Sequence, residues 1–155
     1  MILVSSVQTP MDLAFIEAEA ALDRSEVPVG AVLIESSSGQ LLARASNRME
    51  EWSDPTAHAE LLAIRLATAC RAAPRLPDCD LYVTLEPCPM CAAAITFARI
   101  RRLYFGAYNP KGGAIEHGPR FFTLPTCYHR PDVYGGLQER RAAALLRYFF
   151  KAYRY

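Results

Sequence analysis

The chain has 155 residues, 52% of them hydrophobic and 21% charged, which fits a globular protein with its own core and excludes a disordered one. Seventeen basic and sixteen acidic residues leave a net charge of +1, so the total charge makes no case for nucleic acid. No apolar run approaches a membrane span, Met1-Ile2-Leu3-Val4 carries no basic leader, and five cysteines suit a reducing compartment better than a disulfide framework. The expectation is one cytoplasmic domain over residues 1–155, with no membrane partner.

Residues 1–8 read as an extension of uncertain role, with Met11 as an alternative start. Thr9-Pro10 is a cap followed by proline at the first helical position, and Phe15, Ala18 and Leu22 continue a helix to about Arg24. Val29 to Ile34 reads as a buried strand, Ser36 to Gly39 as a turn, and Leu41 to Ser46 as the returning strand, which Asn47 ends. After a loop from Met49 to Pro55, a helix is expected from Ala57 to Ala73, with Leu61, Leu62, Leu66 and Ala69 on its apolar side. Asp80 to Leu85 is the third strand, Pro87 opens a helix through about Arg99, and Arg102 to Ala107 is the fourth strand. Tyr108 to Gly136 is rich in Gly and Pro and reads as a functional loop or a set of short elements. Leu137 to Tyr153 is helical, with Ala142, Leu145, Leu146, Phe149, Phe150 and Tyr153 in period. Strands alternating with helices predict a layered α/β/α domain.

Two segments carry chemistry: Thr56-Ala57-His58-Ala59-Glu60, and Glu86-Pro87-Cys88-Pro89-Met90-Cys91. His58, Cys88 and Cys91 are the nitrogen and sulfur ligands that zinc selects, and three protein ligands leave one open position, the mark of a catalytic ion. A lone Cys-x-x-Cys also suits a redox pair or half of a structural zinc site. A redox pair has no need of His-x-Glu, however, and neither Cys70, Cys79 nor Cys127 sits in a second Cys-x-x-Cys or Cys-x-x-His. The order His-x-Glu then Pro-Cys-x-x-Cys is the signature of the zinc nucleobase deaminases. With one Zn²⁺ per chain, Glu60 serves as the proton carrier beside the water that attacks the amino-bearing ring carbon. Backbone N–H groups of Ala59 or of the Pro87–Cys88 turn are candidates to hold the substrate.

Further stretches resemble the bacterial tRNA-specific adenosine deaminases: Glu26-Val27-Pro28-Val29-Gly30-Ala31-Val32, Asn47-Arg48, Asp54 to Glu60, Leu81 to Ala92 and Arg99-Ile100-Arg101. That resemblance, from about Met11 onward, implies a three-layer α/β/α cytidine deaminase-like fold with a central mixed sheet. It also implies a homodimer, and conversion of the wobble adenosine of a tRNA anticodon stem-loop to inosine. By position within it, Asn47 contacts the base, Val29 and Glu26-Val27-Pro28 line its pocket, and Phe149-Phe150 meet flanking nucleotides. At helical spacing at least one of those two phenylalanines is expected in the core. Arg147, Lys151 and Arg154 form a stripe of one sign, read as facing phosphate or as a solvated face.

The chain departs from the family pattern at Tyr108 and at Asn109, where the family usually carries an acidic residue. The stretch Lys111 to Arg120 resembles one bacterial branch more than the rest. Asn109 and Lys111 thus fall in a loop expected near nucleic acid. Loss of a carboxylate there predicts measurable activity on single-stranded DNA, while the competing reading is that Asn109 only starts the Asn109-Pro110 turn. Two other functions compete. A small-molecule deaminase (acting on guanine, cytosine or cytidine) shares the zinc motif but has no use for a basic aromatic tail. A nucleic-acid-binding module merely stapled by zinc leaves Glu60 without a role.

Overall fold

A computed structural model describes residues 7–153. The expected extension therefore falls largely outside the described residues, as do Arg154 and Tyr155 at the end of the basic aromatic tail.

The first helix, α1 (Pro10–Asp23), starts as the sequence predicts. Thr9 accepts from the Asp12 N–H and the Asp12 carboxylate accepts from the Thr9 N–H, a reciprocal capping box. Strands β1 (Gly30–Glu35) and β2 (Leu41–Ser46) form an antiparallel hairpin, β3 (Cys79–Leu85) pairs antiparallel with β1, and β4 (Arg102–Ala107) pairs parallel with β3. The Gly/Pro-rich region holds a turn of 3₁₀ helix at Phe121–Thr123 and a short edge strand, β5 (Asp132–Tyr134), parallel to β4. The sheet order is β2-β1-β3-β4-β5, a mixed sheet.

Register explains the layers. Ala31 faces Val83 and Leu33 faces Leu81 across β1 and β3, and Leu81 and Val83 face Leu103 and Phe105 across β3 and β4. These side chains share one face and pack with α2 (Ala59–Arg71) and α3 (Pro89–Phe97). The alternate residues Val32, Ile34, Tyr82 and Tyr104 pack on the other face, with α1 and with α4 (Glu139–Ala152). Both faces are covered, so β1 reads as a continuous apolar run rather than an alternation. Gly30 is needed where β1 passes under α1: a Cβ there would run into the Ala14 carbonyl and lie 2.5 Å from the Ala18 nitrogen. Arg141 of α4 lies over the buried Phe15 ring at 4.2 Å, tying the two helices of this layer together.

Three expectations need correction. The second helix starts at Ala59, so His58 is its cap in extended backbone and not a first-turn residue. The third starts at Pro89 with Cys88 as its cap, two residues later than expected from Pro87. On α2 the buried side is Ala59, Leu62, Ala63, Ile64 and Ala67, whereas Leu66 is 52% exposed. Alanines four apart let the helix sit close on the sheet, and that close contact sets its rotation.

Candidate active site

A cavity of about 200 Å³ opens where the N-terminal ends of α2 and α3 meet the carboxyl ends of β3 and β4, and it is lined by His58, Cys88, Glu60, Val29, Asn47 and Asn109 among others. Ligands collect at such strand ends in open α/β sheets. Its size suits a single planar base rather than a drug-sized molecule, for which pockets run from roughly 300 Å³ upward.

His58 Nδ1 lies 3.5 Å from Cys88 Sγ and 3.6 Å from Cys91 Sγ. Tetrahedral bonds of about 2.3 Å to sulfur and about 2.0–2.1 Å to nitrogen separate neighbouring N and S donors by roughly 3.6 Å. The three donor atoms, all within 4.8 Å of one another, therefore fit one zinc ion. Local sequence explains the placement. Cys88 holds an extended cap conformation before Pro89, and Cys91 is the third residue of the helix that follows, so both thiols come to one side of the α3 start. The positive end of the helix dipole favours thiolate there. The Cys88 thiol is pulled down to about 4, first by the hydrogen bond from the Cys91 thiol and further by His58, against the opposing effect of burial. Cys91 is pushed up, because it donates that hydrogen bond and is buried. A divalent cation takes the place of the shared proton, so metal binding releases protons here.

Glu60 is 4% exposed, on the first turn of α2, and lines the same cavity. Burial pushes its carboxyl up, while hydrogen bonding from its own backbone N–H and the nearby His58 oppose the rise. A carboxyl held toward its protonated form beside a hydrolytic centre is suited to passing protons in both directions.

Asn47 is 5% exposed and lines the cavity with Val27, Val29 and Met49. Its Oδ1 accepts from the Met49 N–H at 3.2 Å and its Nδ2 donates to the Val27 carbonyl at 3.4 Å. Arg24 holds the same corner by donating to Ser46 Oγ and the Asn47 carbonyl. Asn47 is thus both a polar group of the pocket wall and the brace of its two loops. Ala59 also lines the cavity.

Most of the other expected contacts lie elsewhere. Glu26 is 1% exposed and sits behind the cavity, in a smaller one of about 110 Å³ shared with Asn47 and Phe149, where Oε1 accepts from the Glu50 N–H at 2.7 Å. Pro87 is buried, and its carbonyl accepts from the Ala114 N–H, so it braces a loop rather than facing the cavity. Lys111 is exposed outside the cavity lining. Phe149 is 1% exposed and packs on Tyr153, which excludes it as a stacking platform, whereas Phe150 is 52% exposed beside Arg147 and Lys151. Asn109 lines the cavity, and its Oδ1 accepts from the Gly112 N–H at 3.0 Å, so it does start the turn.

Sequence reasoning passed over Glu86. It is 1% exposed, at the end of β3, and its two oxygens accept from the backbone N–H groups of Asn109, Ile115, Glu116 and His117 and from His117 Nδ1, at 2.9 to 3.2 Å. Burial alone would raise this carboxyl, but the hydrogen bonds from Asn109, His117, Ile115 and Glu116 hold it below its ordinary value. The available signal was a charged residue closing an apolar strand, with Gly112-Gly113 downstream to let a backbone come close.

Residues 4–107 match the family model for the cytidine and deoxycytidylate deaminase zinc-binding region. The chain is 59% identical over 141 residues to a tRNA-specific adenosine deaminase of Agrobacterium fabrum, covering 91% of each. Among solved structures it is similar to one from studies of A-to-I editing by tRNA:A34 deaminases at the wobble position, with 58% identity and a TM-score of 0.86, covering 88% of this chain and 98% of that one. A guanine deaminase from Nitrosomonas europaea is also similar, with 26% identity and a TM-score of 0.78, covering 90% of this chain and 82% of that one.

Proposed function

The chain belongs to the tRNA-specific adenosine deaminase family, and from that premise we propose that His58, Cys88 and Cys91 hold its zinc ion while Glu60 carries the protons of the reaction. The enzyme hydrolyses the wobble adenosine of a tRNA anticodon to inosine, with one Zn²⁺ per chain. Zinc, when bound, supplies the Lewis acidity that makes water a nucleophile near neutral pH. The Glu60 carboxylate takes a proton from the attacking water, delivers it to N1 of the adenine ring, and passes a second proton to the departing ammonia. Water and adenosine thereby give inosine and ammonia with nothing left over. Asn47 and the Ala59 backbone orient the base, and Val29 packs against its ring.

The observation that carries this reading is the spacing of His58 Nδ1 from the two sulfurs, with Glu60 lining the same cavity. A zinc staple would leave that carboxylate without work. A guanine-deaminating activity is the alternative, since the fold is shared with such an enzyme at 26% identity. Incubating the protein with an anticodon stem-loop, free adenosine, cytidine and guanine in parallel separates the two. Inosine in the stem-loop with no change in the free compounds is expected, and turnover of guanine alone would reverse the assignment.

The protein acts as a single domain in the cytoplasm and as a homodimer. No helix among the described residues is long and apolar enough to cross a membrane. Trp52, Leu66, Phe97 and Tyr128, each more than half exposed, offer apolar surface for self-association. Light scattering giving a monomer mass at micromolar concentration would remove the dimer. Asn109 in place of a carboxylate extends the substrate range to single-stranded DNA hairpins.

A further inference from the structure

The Glu86 carboxylate fills a ring of donors that no step of the deamination uses. Oε2 receives three consecutive backbone N–H groups, from Ile115, Glu116 and His117, at 3.0 to 3.2 Å. Oε1 receives the Asn109 N–H at 3.0 Å and the His117 ring N–H at 2.9 Å. Successive N–H groups converging on one oxygen make an anion nest, here occupied by the protein's own side chain. The residue next to Glu86 joins in, since the Pro87 carbonyl accepts from the Ala114 N–H at 2.8 Å. The backbone that carries Cys88 thus also carries the loop from Asn109 to His117. Gly113 permits this close approach: a Cβ there would lie 2.5 Å from Glu86 Oε2 and 2.6 Å from the Asn109 carbonyl.

We infer that Glu86 is a positioning residue that mounts the loop of residues 109–117 on the end of β3, fixing the wall of the cavity that holds Asn109 against the polynucleotide substrate. This rests on the functional reading above, and it adds a fixed outer wall for the nucleotides around the target base. A carboxylate is the one side chain that can accept all five bonds. A carboxamide at the same place turns an NH₂ group toward one set of donors and loses acceptance there. The wall would then leave its place while the three zinc donors, which Glu86 does not touch, keep theirs.

The test is Glu86→Gln in the full zinc-loaded chain, read by zinc content, by amide hydrogen exchange at 109–117, and by Kd, KM and kcat on an anticodon stem-loop. Zinc stays at one per chain, and exchange at Ile115, Glu116 and His117 rises by tenfold or more while that of α1 and β1 does not. Kd and KM rise by tenfold or more, a larger change than in kcat. His117→Ala removes one bond of the five and should give a smaller change in the same direction. Should Glu86→Gln not fold, Gly113→Ala pushes the loop off the carboxylate with Glu86 intact and should loosen the same amides. Unchanged exchange and a Kd within twofold of wild type would overturn the inference. So would zinc loss with uniform loosening, which would make Glu86 a general support of the metal site. The exchange measurement needs no RNA, so a wild type that failed to bind the stem-loop would count against the functional reading while the clamp is still judged.

Discussion

Two buried carboxylates stand on the same cavity and are treated in opposite ways. Glu60, on the α2 side, is 4% exposed and burial pushes it up, a rise that its own backbone N–H and the nearby His58 offset only in part. Glu86, on the β3 side, is 1% exposed, and its surrounding donors hold it down. A carboxylate saturated with N–H donors cannot easily take up a proton, whereas one starved of them can. Burial alone does not mark a proton carrier; the count of donors around it separates chemistry from scaffolding.

The sharpest break of the Glu60 side is removal of the ion it serves. Cys88→Ser together with Cys91→Ser should lose both zinc and soluble fold, since site-bound zinc contributes on the order of 10 kcal/mol where it organises a fold. Elemental analysis finding a full equivalent of zinc in the double variant would refute the ligand set. Next in size, Glu60→Ala should keep zinc and RNA affinity and lose turnover by about 10²–10⁴-fold, the usual share of a general acid–base group. Substantial residual rate would move the proton carrier elsewhere, and the contrast with Glu86 would collapse.

A smaller effect belongs to the tail. Truncating it would remove Phe149 from the core, so point changes at its exposed side chains are the cleaner probe. Phe150→Ala should weaken stem-loop binding by about 1–3 kcal/mol if a base stacks there. Lys151→Ala should lower the salt slope of binding by about one if it meets a phosphate. Binding by both variants equal to wild type across salt would leave α4 a packing element.

The smallest is Asn109→Asp. Aspartate can keep the bond from the Gly112 N–H, so the turn survives the change while a negative charge returns to the cavity wall. An exposed carboxylate near a phosphate costs about 1 kcal/mol at most. The variant should raise the ratio of RNA to DNA deamination severalfold, because its carboxylate can accept from a ribose 2′-OH that DNA lacks. Equal ratios for the two proteins would leave Asn109 as a turn residue only.

Much of this was legible in the chain because it is local. The bounds of β2 and β4 coincide with their apolar runs, and Thr9 with Asp12 writes its own capping box. The zinc donors were readable because their chemistry is in residue type and spacing. What escaped depends on distant partners. Strand β5 is three residues with exposed ends, and it exists only because β4 offers it an edge. The rotation of α2 follows its alanines rather than its leucines. Glu86 draws its meaning from a loop more than twenty positions away, which no window around it contains.

The most direct test of the contrast between the two carboxylates is the same isosteric change made at each. Glu60→Gln and Glu86→Gln should be assayed side by side for zinc content, stem-loop Kd and single-turnover inosine formation. Two full zinc sites and opposite failures are expected: Glu60→Gln binds RNA like wild type and forms almost no inosine, while Glu86→Gln binds at least tenfold more weakly and still converts what it binds. If the two variants failed alike, in affinity or in the chemical step, the division of labour drawn from their surroundings would be wrong.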